Sequence, residues 1–415
     1  MKNIKRNGVI FNALSGTVNS LQSVVWLMFI TRILGINEAG IFTIAYAIAN
    51  LLLLIGRYGV REYQASDVNR VFTWSEYYVS RLISIAGMMA VTLIYCLYMG
   101  TMGGYSVYKA AVVFLMTLLK AADAYEDVYH GMYQQRGRLD IAGLSMFIRL
   151  GGQMIVFSVM VLCGFNLAVT LIITNLFTWP FAVLVQKWWN KKLGIYNERP
   201  DRARVKKIFI VCSSIFFSSF ISFYIGNLSK YKIDALMSEQ DQAYYGFISM
   251  PVFVVALLAN FIYQPILKDM SVLWNEYKIS RFLKKIGKAL LLILGVSVGV
   301  LGAGYLFGIW GLELLYGVEL EQYKTEFMIL LSGSSLLAVS SFFRVVLIVM
   351  RKQKVIFASY VILWVIAEFM TIQLVKGRGI YGAAVSYAVS MCIAVLMFIV
   401  IMVYSIRKQK GKKNL

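Results

Sequence analysis

The sequence predicts an all-α integral membrane protein, with about twelve transmembrane helices in two six-helix halves and both termini on the cytoplasmic side. Three observations carry this. Apolar residues make up 60% of the 415-residue chain, with a mean hydropathy of +0.70, and they gather in runs of roughly 18–22 residues, the length that crosses a bilayer core. Lys and Arg avoid these runs and concentrate in alternate loops. A single strongly basic stretch, Gln186–Lys207, lies near the middle and divides the chain into two similar halves. The runs must be helices, because hydrocarbon offers no partner to an open backbone group. Alternating segments of about ten residues, the mark of a membrane β-barrel, are absent.

In order, the first half gives spans over 11–30, 39–55, 77–98, 105–124, 142–162 and 167–185. The second gives 208–225, 244–263, 289–307, 327–349, 355–374 and 381–404. The organisation is 1–190 for the N-terminal bundle with the start of the linker, 191–207 for the cytoplasmic basic linker, and 208–415 for the C-terminal bundle. Orientation follows from counting. With the N-terminus inside, 30 of the 41 Lys and Arg fall on inner segments, six on outer loops and five within spans. That bias is the positive-inside pattern. The linker contributes eight basic residues (Lys187, Lys191, Lys192, Arg199, Arg202, Arg204, Lys206, Lys207) against Glu198 and Asp201.

Several function classes are excluded. The net charge of +21 sits in short loops between apolar runs, not on one face of a soluble domain as nucleic-acid binding requires. The four cysteines lie far apart inside apolar runs and read as small core residues. No Walker A sequence is present, so the chain carries no ATPase of its own. The longest outer loops, near Gly226–Ala243 and Gly308–Glu326, are too short for a catalytic domain, which argues against a polymerase or glycosyltransferase.

Charges within or beside spans are the functional candidates, since lipid tolerates them only when they face a cavity, a partner or the headgroups. They are Arg32, Arg81, Lys109, Lys120, Asp123, Arg149, Lys230, Asp234, Arg344 and Glu368. Arg32, Arg81 and Lys109 sit near helix ends, where snorkelling to the headgroups suffices. Asp123, Glu126, Asp127 and His130 fall at i, i+3, i+4 and i+7, on one helical face. A bundle metal site would need a second Glu-x-x-His, and His130 is the only histidine, so no metal is expected. The face reads either as a cytoplasmic gate or as a solvated helix end. Arg57 and Arg61, one helical turn apart, suit a phosphate group or act as topology markers. Pro251 can break the eighth helix near its start, and Pro180 and Pro265 lie in or beside spans. Ser and Asn in the opening helix of each half, Asn227 among them, read as interhelical glue or cavity lining.

The stretches TRILG…EAGIF (Thr31 to Phe42), YGVREYQASD (Tyr58 to Asp67), DAYEDVYHGMYQQRGRLDIAG (Asp123 to Gly143), NLSKYKID (Asn227 to Asp234), YYGFISMPVFV (Tyr244 to Val254) and Gln264-Pro265 carry a resemblance. Through them the chain resembles the polysaccharide-exporter branch, the O-antigen and capsule repeat-unit flippases, of the multidrug/oligosaccharidyl-lipid/polysaccharide exporter superfamily. The resemblance implies a non-enzymatic flippase of the bacterial inner membrane. It implies two six-helix bundles around a central cavity, alternating access and an undecaprenyl-diphosphate-linked oligosaccharide as passenger, with membrane lipids, a polysaccharide polymerase and glycosyltransferases as partners. Drug exporters share the twelve-helix layout and remain the alternative, whereas peptidoglycan-precursor flippases usually carry two more helices.

The cationic candidates suit a diphosphate. Substrate binding is therefore expected at Arg57, Arg61, Arg149, Lys230, Arg344 and Asn227. Coupling or gating is expected at Asp123, Glu126, Asp127, Asp234 and Glu368, with a proton or sodium ion as coupling ion and no cofactor.

Overall fold

The computed structural model describes residues 2–67, 70–194 and 199–413. Glu198 of the basic linker and the side chain of Pro265 lie outside the described residues. Every long apolar run is helical, and the chain divides into two compact units, Met1–Phe220 and Ile221–Leu415.

The first unit opens with α1 (Lys2–Ile33) and α2 (Ile36–Arg57), then a short α3 (Val60–Ser66) and α4 (Trp74–Thr101). It continues through α5 (Val107–Gln135), α6 (Leu139–Leu162), α7 (Leu167–Lys192) and most of α8 (Arg202–Leu236). Local chemistry sets the boundaries. Thr73 and Glu76 form a reciprocal capping box that starts α4, and Ser106 and Asn166 cap α5 and α7. Helix α5 is the axis of this unit. It packs against α2, α3, α4, α6 and α7, and residues Leu119 to Tyr133 are buried without interruption. Helices α1 and α6 approach most closely at Gly143, where an added Cβ would come within 2.6 Å of the Asn12 backbone nitrogen. Above that crossing Trp26 of α1 stacks on Phe157 of α6, with centroids 4.1 Å apart.

The second unit takes the end of α8, then α9 (Glu239–Ser249), α10 (Val252–Tyr263), α11 (Leu267–Asn275), α12 (Ile279–Ala303), α13 (Ile309–Tyr316), α14 (Lys324–Val349) and α15 (Gln353–Lys413). Pro251 separates α9 from α10 as its missing N–H predicts, and a π-helical turn at Gly304–Gly308 joins α12 to α13. The 61 residues of α15 are two helices broken at Gly379, whose φ of 53° and ψ of −132° only glycine adopts freely. With α9–α10 and α12–α13 each taken as one span, α3 and α11 set aside and α15 divided, twelve long helices stand among the described residues. Ten helical runs are long and apolar enough to cross a membrane. The count reaches twelve because α15 holds two spans and because α5, rich in charge, is enclosed by its neighbours.

Three expectations are corrected. Neither expected long outer loop is one: in 226–243 α8 continues to Leu236 and only Met237 and Ser238 precede α9, and in 308–326 α13 takes up Ile309–Tyr316. Asn227, Lys230 and Asp234 are therefore helical. Arg57 and Arg61 do not share a helix, since α2 ends at Arg57 and left-handed Tyr58 and Gly59 intervene before α3. Arg81 and Lys109 do not reach for headgroups, being 0% and 6% exposed. Arg32 is the one of the three that is exposed.

Candidate functional site

The polar face of α5 is the organising feature of the first unit. Asp123, Glu126, Asp127 and His130 are all buried, the most accessible of them only 7% exposed, so the alternative of a solvated helix end is overturned. A carboxylate in such surroundings persists only if it is paired and hydrogen-bonded. Two sets of partners do this.

The first set centres on Arg149 of α6. Its Nη2 donates to Asp123 Oδ1 at 2.6 Å and its Nε to Glu126 Oε2 at 2.7 Å. Its Nη1 donates to Gln153 Oε1 at 3.0 Å, one turn further along α6. One planar guanidinium thus bridges two carboxylates, a geometry that lysine cannot copy. Lys120 Nζ donates to the other oxygen of Asp123 at 3.3 Å and lies 4.8 Å from the centre of the Tyr46 ring on α2. The second oxygen of Glu126 accepts from Gln186 Nε2 at 3.3 Å, and Gln186 Oε1 accepts from the Tyr133 hydroxyl at 2.7 Å. A continuous chain of polar contacts therefore links α2, α5, α6 and α7.

The second set centres on Asp127. Arg81 of α4 donates to its Oδ2 from Nη2 at 2.8 Å, while Nη1 donates to the Gly56 carbonyl at 2.6 Å. Ser84 donates to that same carbonyl at 2.7 Å. Arg61 Nη1 donates to Asp127 Oδ1 at 3.4 Å, and Arg57 Nε stands 3.9 Å from it. The break at Tyr58 and Gly59 turns both arginines towards one carboxylate. Their side chains stay 38% and 31% exposed, against 0% for Arg81. His130, one turn beyond Glu126, has Nε2 3.4 Å from the Ser145 hydroxyl.

Formal charge does not cancel here. Arg57, Arg61, Arg81, Lys120 and Arg149 face Asp123, Glu126 and Asp127, with Glu62 of α3 also within electrostatic reach of Arg81, leaving one positive charge in excess. The excess lies on the accessible side, at Arg57 and Arg61. A site so built holds its interior carboxylates fixed and presents cations to an anion that arrives from water or headgroups.

In the second unit the predicted residues are more dispersed. Glu368 forms an ion pair with Lys232 and accepts from the Tyr224 hydroxyl at 3.2 Å. Tyr224 sets its ring edge-on to Trp364. Lys230 and Asn227 are partly buried on α8, and the Asn227 amide donates back to the Phe223 carbonyl at 3.1 Å. Asp234 is partly buried two turns beyond Asn227. Arg344 is partly buried on α14, and among the described residues no ion pair reaches it. Of the predicted residues, the structure thus brings together Asp123, Glu126 and Arg149, and separately Asp127, Arg57 and Arg61.

Sequence reasoning did not assign Arg81, Gln153, Gln186, Tyr46, Lys232 or Tyr224 to a site. Arg81 was visible as a charge inside a span, and Gln153 as an amide one turn from Arg149. Gln186 was hidden as the first residue of the basic linker.

This arrangement of helices is a known one. The structure aligns with a multidrug-resistance MATE-family transporter of the MOP superfamily in its inward-facing conformation at a TM-score of 0.69, with 14% identity, over 98% of this chain and 99% of that one. It aligns with the lipid II flippase MurJ in an inward closed conformation at 0.68, with 12% identity, over 97% of this chain and 90% of that one. The fold is that of a multi-pass membrane protein and is shared with these two. Residues 6–271 match the model of the family described as polysaccharide biosynthesis protein, and the chain belongs to that family. A capsular polysaccharide biosynthesis protein of Staphylococcus aureus, CapF, is 23% identical over 295 residues, 69% of this chain and 73% of its own length. The sequence resemblance to the polysaccharide-exporter branch is thereby established.

Proposed function

We propose that this protein is a flippase that moves an undecaprenyl-diphosphate-linked oligosaccharide from the cytoplasmic to the outer leaflet of a bacterial inner membrane, for surface polysaccharide synthesis. It acts without catalysing a covalent step, by exposing a hydrated cationic site first to one side and then to the other. The observation that carries this reading is the uncancelled positive charge of the α5 network, offered by Arg57 and Arg61 at its accessible edge. The family match and the likeness to a capsular polysaccharide protein support a glycan precursor as passenger.

In this reading Arg57 and Arg61 leave Asp127 in part to meet the diphosphate, while Arg81 keeps that carboxylate neutralised. Lys230, Arg344 and Asn227 supply further contacts to phosphate or sugar. Arg149, expected at the substrate, is 1% exposed with its guanidinium taken up by Asp123, Glu126 and Gln153, so it instead holds the two carboxylates in register and the helix that bears them moves as one body. Asp234 and Glu368 serve as the coupling groups, with the Lys232 ammonium released when Glu368 takes a proton or a sodium ion.

Reconstituted protein and a fluorescent polyprenyl-diphosphate sugar test this directly. Replacing both edge arginines (Arg57→Gln with Arg61→Gln) is expected to slow translocation about tenfold or more, the worth of a lost charge-assisted contact. Wild-type protein that moves no lipid-linked sugar but expels a cationic dye would replace this reading with that of a cation-coupled multidrug exporter.

A further inference from the structure

The opening turns of α12 carry a second cationic surface, in the other unit and unconnected with the α5 network. Five basic residues fall between Lys278 and Lys288. Two are taken up locally: Lys278 pairs with Glu276 at 2.7 Å, and Lys285 pairs with Asp269. The other three, Arg281, Lys284 and Lys288, are exposed, and among the described residues no carboxylate forms an ion pair with them. At 3.6 residues per turn they fall within about 60° of one another around the helix, spread over roughly 10 Å of its length.

The helix cannot rotate to hide them. Phe282, Ile286, Ala289 and Ile293 occupy its other side and are buried. Along the cationic side the character changes abruptly after Lys288. Leu291 and Leu292 flank the same face, about 20° outside it on either side, and are 72% and 52% exposed, while exposed Gly295 and Gly299 continue it. One fixed helical face therefore runs from free cations to free aliphatic side chains with no acidic residue between. Such a sequence matches the passage from headgroup to acyl chain in a lipid leaflet.

We propose that this face of α12 is a docking surface for anionic phospholipid of the cytoplasmic leaflet. Arg281, Lys284 and Lys288 hold the phosphodiester headgroups, and Leu291 and Leu292 lie along the acyl chains. Three unpaired cations on a rigid face complement negative headgroups at close quarters. A zwitterionic headgroup brings its own cation and gains little. The surface goes beyond the transport reading and does not depend on it, because its ligand is resident lipid and not cargo.

Native mass spectrometry of the full-length protein tests this, after release from bilayers of equal phosphatidylglycerol and phosphatidylcholine. The wild type is expected to retain phosphatidylglycerol preferentially. The double variant Lys284→Gln with Lys288→Gln is expected to lose about tenfold of that preference, given the attraction of each basic residue to an anionic surface. The charge-preserving pair Lys284→Arg with Lys288→Arg should keep it, which separates headgroup binding from a folding defect. An equal change of net charge at Lys324→Gln with Lys376→Gln should also leave it intact. The proposal would be overturned by equal retention of the two lipids by the wild type, an unchanged preference in Lys284→Gln with Lys288→Gln, or an equal loss in the Lys324 and Lys376 variant. Displacement of phosphatidylglycerol by equimolar undecaprenyl diphosphate would also overturn it, assigning the surface to cargo instead.

Discussion

Arg81 and Asp127, on neighbouring helices and 46 residues apart, meet at 2.8 Å where neither touches solvent appreciably. The guanidinium also caps the Gly56 carbonyl, so one side chain ties α4 to both α2 and α5. Breaking a buried pair by removing one partner costs about 3–5 kcal/mol, because the other charge is stranded. Arg81→Gln should therefore lower the thermal stability of the detergent-solubilised protein sharply. A double-mutant cycle with Asp127→Asn should return a coupling above about 1 kcal/mol. Additive effects would show that the two residues act independently.

Arg149 and the Arg57–Arg61 pair should separate cleanly by experiment. Arg149→Lys keeps the charge but cannot bridge Asp123 and Glu126, so unfolding temperature and transport should fall together. The edge arginines are partly exposed, where an ion pair is worth only about 0–1 kcal/mol. Arg57→Gln with Arg61→Gln should thus spare stability while transport drops, which parallel melting curves and flipping rates will check.

The α1–α6 crossing predicts a steric effect. Gly143→Ala places its methyl group within 2.7 Å of backbone atoms of Phe11 and Asn12, so a helix must move, at about 1–3 kcal/mol for overpacking. Gly151→Ala on the same helix meets nothing within 4 Å and serves as the neutral comparison. Equal melting temperatures for the two variants would disprove the close crossing.

Glu368 should report on coupling. It is partly exposed and held by Lys232 and Tyr224, so Glu368→Gln is expected to change stability little. If Glu368 exchanges the coupling ion, the variant should lose the dependence of transport on a pH or sodium gradient. Retention of the full dependence would remove Glu368 from that role.

The spans were legible because lipid imposes a single rule on length and polarity, and the charged face of α5 was legible because helical spacing alone places 123, 126, 127 and 130 together. The partners of those charges were not. Arg149 to Glu126, Arg81 to Asp127 and Gln186 to Glu126 join residues 23, 46 and 60 positions apart, and no local pattern encodes such pairings. The extension of α8 past Ile225 was hidden for a related reason. Asn227, Lys230 and Asp234 look like loop residues until neighbouring helices enclose them. Within α15 the break at Gly379 was legible, between the spans 355–374 and 381–404, because Lys376, Gly377, Arg378 and Gly379 interrupt the apolar run there.

The composition of α5 has a consequence for how the protein is made. Five charged side chains lie between Val107 and Gln135, and each costs about 2.5–3.5 kcal/mol when an isolated helix partitions into the bilayer centre. This segment should be a poor substrate for the insertion machinery by itself. Its neutralising arginines arrive on both flanks, Arg81 already synthesised and Arg149 still to emerge from the ribosome. Integration of α5 should therefore wait until α6 has been translated, and nascent chains halted just before Arg149 should leave it accessible to aqueous labelling reagents.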